Sequence, residues 1–232
     1  MRKTERILRS FDGSWRGGLL EPCRNAGHIW RMTRDPNTPE TRFDAVAKCT
    51  YCADWFQKTH TGHPPRSVLW AEPGARILIA GQAPGARVHA SGRPFTDPSG
   101  DRLRGWMDVD DATFYDRSKI SIVPMAFCFP GYNEKGHDLP PPKECAKLWR
   151  AGILEALGPF DLTLLVGGYA QDWHIGKGTV TARVGAWRDH APHVFPLPHP
   201  SWRTTGWVKK NPWFGGELIP ELRMRIKEVL DD

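Results

Sequence analysis

Residues 81–85 read Gly-Gln-Ala-Pro-Gly directly after the apolar run Arg76-Ile-Leu-Ile-Ala80, and a single His-Pro-Ser stands far downstream at 199–201. Glycines at both ends let the backbone of such a loop come close to a ligand, and Pro84 stiffens its middle. The loop has no charge of its own, so it can offer main-chain groups but no acid or base. A plain strand-to-helix turn accounts for it equally well when it is taken alone. His199 adds a group that can donate, accept or move a proton near neutral pH. Five cysteines are candidates for metal ligation or for burial. A third group lies near the C-terminus, where no acid occurs from Ala191 to Gly216 and Trp202, Arg203, Trp207, Lys209, Lys210, Trp213 and Phe214 crowd together. Alternating cations and aromatic rings suit contacts with phosphates and bases.

These groups must be held by a scaffold. Short apolar runs recur at 76–80, 120–124, 162–166 and 194–198 without polar alternation, which suits strands buried on both faces. Between them lie helix candidates. The clearest opens on prolines at 141–142 and places Ala146, Trp149, Ile153 and Leu157 on one face; the last places Leu222, Ile226 and Leu230 on one face. Alternating strands and helices predict an α/β fold, a three-layer α/β/α sandwich around a four-stranded parallel sheet. Ligands of such sheets bind outside the carboxyl ends of the strands, where residues 81–85 and 199–201 both fall. Residues 1–45 read as an irregular N-terminal extension and 46–232 as the α/β domain, with a linker-like stretch at 58–67. Met32 is a possible alternative start.

The chain of 232 residues is long enough for one substantial core. Its net charge of +6 permits a polyanionic partner. No stretch approaches the roughly 20 apolar residues of a membrane span, and the first residues lack the apolar run of a secretory signal. A cytoplasmic, nucleoid-associated monomer that does not touch membranes is expected. In that reducing setting the cysteines do not form a disulfide framework.

The order of Cys49-Thr-Tyr-Cys52, Gly81–Gly85, the segment Gly92–Met107 containing Arg-Pro-Phe-Thr-Asp-Pro-Ser-Gly-Asp, Phe127-Cys-Phe-Pro-Gly131, Pro140–Trp149, Leu164–Ala170 and Pro198-His-Pro-Ser-Trp202 resembles the uracil-DNA glycosylase superfamily over roughly residues 45–230. It is closest to the iron–sulfur branches. The resemblance implies that Cys49, Cys52, Cys128 and Cys145 hold a [4Fe-4S] cluster. Zinc held by four thiolates, with Cys23 and His28 as further ligands, and simple burial of Cys128 and Cys145 are the alternatives.

It also implies a flipped base held in a pocket. Phe95 would stack on uracil. The main-chain N–H groups of Gln82 and Ala83, in the loop Gly81–Pro84, would face O2 together with His199, stabilising the negative charge that develops as the glycosidic bond breaks. Ser201 would complete the second motif. Trp202 or Arg203 would fill the gap left by the base, with Lys209 and Lys210 on phosphates.

Two departures from the family pattern matter. Relatives with an acid in the first motif place it where this chain has Gln82 and Ala83. The carboxylate assisting the oxocarbenium-like sugar must then come from elsewhere: Asp97 first, at a spacing one residue shorter than in a related branch, then Asp101, with the imidazole of His89 as a third candidate for the assisting group. The Asn that reads the base edge in uracil-selective relatives is replaced by Pro124.

The expected activity is hydrolysis of the N-glycosidic bond of uracil in DNA, leaving an abasic site. No motif lysine is placed as a Schiff-base nucleophile for a coupled lyase. The alternatives are the same fold acting on hypoxanthine, xanthine or mismatched thymine, and a non-catalytic metal-containing DNA-binding protein.

Overall fold

The computed structural model describes residues 38–231. Cys23, His28 and Met32 lie outside them.

Four short strands, β1 (Ile77–Ala80), β2 (Ile120–Ile122), β3 (Leu162–Val166) and β4 (Val194–Leu197), form one sheet in the order β2-β1-β3-β4. All pairs are parallel, with Ile77 opposite both Ile120 and Leu162, and Thr163 opposite Val194. Each strand coincides with one of the apolar runs. Pro196 is tolerated because β4 is an edge strand.

Successive side chains of a strand point to opposite faces, and here both faces are covered. Ile77, Ile79, Leu162, Leu164 and Val166 join Leu103, Met107, Leu222, Ile226 and Val229 in one buried cluster. The helices on that face are α4 (Pro98–Met107) and α11 (Ile219–Asp231), the latter entered through a π turn at Phe214–Leu218. Phe214 is buried and Trp213 half-buried in the same cluster, so both anchor the C-terminal helix. Leu78 faces the opposite way and packs with Val46, Val123, Phe127, Ile153 and Leu157. Those partners come from α1 (Pro39–Ala47), the segment after β2, and α7 (Ala151–Leu157). The result is the expected three-layer sandwich.

Two details differ from the sequence reading. First, α1 crosses the expected boundary at residue 45. Its start is capped by Thr38, whose Oγ1 accepts from Thr41 N–H at 3.3 Å, with Pro39 in the first turn. Val46 is buried and Phe43 packs beside it, so the end of the extension is part of the core. Second, the helix from α6 (Lys143–Cys145) to α7 passes through a π turn at Ala146–Arg150. The extra residue in that turn leaves Ala146 and Trp149 half-buried and swings Arg150 into full burial. A strict 3.6-residue period gives no sign of this.

Among the described residues no helix is long and apolar enough to cross a membrane.

Candidate active site

The direction of chain crossover reverses between β1 and β3, which opens a crevice beyond their carboxyl ends. A cavity of about 500 Å³ occupies that place. Every strand end contributes to its wall: Gly81–Gly85 after β1, Pro124 after β2, Val166 at the end of β3, and His199 and Ser201 after β4. Phe95 and Asp97 close one side, and Trp202 and Arg203 stand at the rim.

The loop after β1 is fixed by the segment beyond β2. Met125 N–H donates to Gly81 O at 2.9 Å and Ala126 N–H to Gln82 O at 3.1 Å. Gly85 caps the short helix α3 (Ala86–Ser91) that follows. His89 sits on that helix outside the cavity wall. Its ring meets His63 edge-on at 5.0 Å and lies 5.9 Å from Phe129, and its buried Nδ1 has no hydrogen-bond partner among the described residues. Burial, then the neighbouring His63 and Arg66, hold its pKa below the usual imidazole value.

Phe95 takes a left-handed backbone conformation, φ 54°, which is unfavourable for a bulky residue. Neighbours hold it there. The Phe95 carbonyl accepts from Tyr115 Oη at 3.0 Å and from Arg104 Nη1 at 3.2 Å. Strain of this kind collects at functional sites. The ring stands close to Gly81, where a β-carbon would lie 3.7 Å from Cζ, and edge-on to Phe114.

Asp97 is the N-cap of α4, its Oδ1 accepting from Gly100 N–H at 3.2 Å, with Pro98 in the first turn. The cap holds its carboxylate against the cavity. Asp101 lies one turn further along and leaves the cavity: it is exposed and paired with Arg104 Nη2 at 2.6 Å. Of the two candidate aspartates only Asp97, at the cap, lines the pocket.

His199 is half-buried beside Gly167, whose positive φ of 85° brings the turn between β3 and α8 (Gly168–His174) against the imidazole. A β-carbon on Gly167 would lie 3.8 Å from His199 Cδ2. Gly167 N–H donates to Leu197 O at 2.9 Å, and the buried Gln171 Nε2 donates to the same carbonyl at 2.8 Å. These bonds hold the end of β4. Burial lowers the pKa of His199, with Asp97 and Asp138 opposing the shift and Arg203 adding to it. A neutral imidazole at physiological pH can donate one hydrogen bond to a developing anion without carrying a charge beforehand.

Asp138 also lines this cavity, and the sequence reading missed it. It comes from Gly-His-Asp-Leu-Pro at 136–140, outside every motif used for the resemblance. The one available signal is an acid between a glycine turn and a proline run, which is common in loops.

Pro124 lines the cavity where relatives carry an Asn, and its carbonyl is already taken. Arg150 Nη1 donates to Pro124 O at 3.0 Å and to Val123 O at 2.8 Å, while Arg150 Nη2 meets His174 Nε2 at 2.8 Å. This fully buried guanidinium, its pKa lowered to about 10 by desolvation, braces the floor of the pocket.

At the rim Trp202 is 77% exposed, with the Arg203 guanidinium 5.8 Å from its ring. Ser201 O accepts from Arg102 Nη1 at 2.8 Å, tying this loop to α4. Lys209 and Lys210 lie exposed on α10 (Thr205–Lys210), on the same C-terminal side but off the cavity wall.

The four cysteines meet at a second, smaller and apolar cavity. Cys49, Cys52, Cys128 and Cys145 all line it, with Tyr51, Phe56 and Trp149. Cys49 follows α1, Cys52 caps α2 (Ala53–Gln57), Cys128 pairs with Ser67 in an antiparallel bridge, and Cys145 ends α6. Cys145 Sγ accepts from Phe127 N–H at 3.4 Å. Burial and the neighbouring thiols push Cys128 up to about 12; burial first, then the other cysteines, raises Cys145 to about 11 and Cys52 in the same direction. Thiolates there require cations to balance them. Among the described residues no three His, Cys, Asp or Glu side chains converge as a single metal ion would need. Four thiols around one cavity are a donor set that could hold a metal ion or an iron–sulfur cluster.

The chain matches the family model of the uracil DNA glycosylase superfamily over residues 70–223. That span covers the loop after β1, Phe95, both strand ends of the crevice and His199, and it supports glycosidic-bond hydrolysis on DNA as the class of reaction. The chain belongs to the uracil DNA glycosylase superfamily.

Proposed function

We propose that this DNA glycosylase hydrolyses the N-glycosidic bond of uracil flipped out of DNA, leaving an abasic site. The observation that carries this reading is the meeting of the Gly81–Gly85 main chain, Phe95, His199 and the capped Asp97 around one cavity. Phe95 offers a face for the base, and Gln82, Ala83 and His199 offer donors to the departing ring. Asp97 offers negative charge to the sugar. Preorganised donors act more strongly on the transition state than on the ground state, because the charge they meet develops only as the bond breaks. Trp202 and Arg203, at the cavity edge, would supply the wedge that supports the extruded nucleotide.

Pro124 favours a second reading, excision of hypoxanthine, xanthine or mismatched thymine, because no side-chain amide at that position reads the uracil edge. Excision from duplexes each carrying one lesion decides between them. Release of uracil fastest supports the first reading, release of hypoxanthine without uracil replaces it, and DNA binding with no base release points to a non-catalytic protein.

We further propose that Cys49, Cys52, Cys128 and Cys145 hold a [4Fe-4S] cluster, supported by an all-thiol donor set around one apolar cavity. When bound, the cluster would cross-link α1, α2, the β2 extension and α6, stabilising the layer behind the pocket. We expect the protein to act as a monomer.

A further inference from the structure

The hairpin-like loop from Gly131 to Leu139 is used by none of the roles above, yet it is firmly built. Tyr132 and Asp138 pair in an antiparallel bridge. Leu139 N–H donates to Gly131 O, and Asn133 N–H to His137 O, both at 2.9 Å. Asn133 Oδ1 accepts from the N–H groups of Lys135 and His137, each at 3.0 Å. Its base is locked as well. Gly131 has φ 91°, and a β-carbon there would stand 2.7 Å from Thr59 Oγ1. His63 Nε2 meets the Phe129 carbonyl at 3.0 Å. The loop therefore delivers Asp138 to the cavity wall on a braced support.

Two carboxylates thus face the cavity that holds His199, and their surroundings differ. Asp97 has an oxygen committed to the cap of α4. Asp138 has no hydrogen bond or ion pair to its carboxylate among the described residues, so its lone pairs are open to a water. As a residue Asp138 is solvent-exposed, but its carboxyl is crowded enough at the pocket mouth that desolvation raises its pKa. His199 and Arg203 pull it down, Asp97 pushes it up, and His137 pulls it down. A carboxylate near protein and free of strong donors is a better proton acceptor than one held by a cap.

Resting on the glycosylase reading, we propose that Asp138 positions and deprotonates the attacking water, while Asp97 remains a fixed negative charge beside the sugar. The water oxygen forms the new bond to C1′ and the C1′–N bond breaks. Its electron pair leaves with the base, held as an anion by the Gln82 and Ala83 N–H groups and His199. The water proton passes to the Asp138 carboxylate and from there to solvent or the departing base.

The test is single-turnover base release from a uracil-containing duplex by the wild type, D138N, D138E and D97N. Duplex affinity and thermal melting are measured alongside. D138N is expected to slow release by about 100- to 10,000-fold, the range for loss of a general base, with duplex affinity changed less than about threefold on the same scale. Its residual rate should no longer fall as pH is lowered through the mildly acidic range, whereas that of D97N should still fall; D138E should recover part of the rate. A D138N enzyme within about threefold of the wild type overturns the assignment and leaves the glycosylase reading standing. A wild type that releases no base from any lesion duplex overturns both.

Discussion

A β-carbon placed on Gly100 would lie 1.8 Å from the carbonyl oxygen of Phe95 and 2.9 Å from Phe95 Cβ. The first turn of α4 is thus pressed against the residue proposed to stack on the base. No side chain can be accepted at position 100 unless Phe95 gives way, and Phe95 is already in a left-handed conformation held by Tyr115 and Arg104. G100A is expected to destabilise the fold by about 1–3 kcal/mol, the usual cost of overpacking. It should slow base release more than it weakens DNA binding. Thermal melting together with single-turnover release checks both; unchanged release would remove the Phe95 geometry from catalysis.

His199 occupies the end of β4 facing the loop after β1, and burial holds its pKa below the usual imidazole value. H199A is expected to lower single-turnover release by about 100- to 1,000-fold, as for loss of one preorganised donor. Duplex affinity should stay within a few-fold of the wild type, because the interaction strengthens only as charge develops. Equal losses in binding and release would make His199 a binding residue instead.

The Arg150–His174 contact makes stability depend on pH. His174 is held neutral, its pKa lowered to about 3 by burial and then by the Arg150 guanidinium, and its ring lies 4.5 Å from that of Trp173. The folded-state value lies below the unfolded value of about 6.5, so the folded state binds fewer protons and is favoured above that pH. Stability should decline as pH falls from about 6.5 toward about 3, the range in which the unfolded chain takes up a proton that the folded one refuses. H174Q, which keeps an acceptor for Arg150, should flatten that decline in melting curves recorded across the window. A decline of the same size in H174Q would assign it to other groups.

If the thiols hold a cluster, the purified protein is brown and contains iron and acid-labile sulfide in equal amounts. C128A and C145A should each lose both, together with the visible absorption, and melt at lower temperature, because burial disfavours thiolates there unless bound cations balance them. Bound zinc without iron would replace the cluster by a mononuclear site.

The sheet and the loops at its carboxyl end were legible because their signals are local. A run such as Leu162–Val166 reports its own double-sided burial, and a glycine-bounded loop after Ile77–Ala80 reports a close approach of main chain. That this loop and His199 share one end of the sheet was legible from the strand pattern, and their roles from the order of motifs along the chain. Arg150 was hidden because a π turn breaks the period on which helix faces are read.

Residue order therefore determined the α/β class, the number and direction of the strands, and the end of the sheet where ligands bind. These follow from short-range apolar patterning and from the handedness of parallel crossovers. Which carboxylates reach the cavity was decided only in three dimensions. Asp97 and Asp101 are four residues apart in sequence, yet one caps α4 and faces inward while the other, past the cap, pairs with Arg104 in solvent. Asp138, far from both motifs in sequence, arrives at the same cavity because Gly131 and its hydrogen bonds fold its loop back over the strand ends. Side-chain direction at a helix start and long-range loop closure both depend on packing partners that no local pattern encodes.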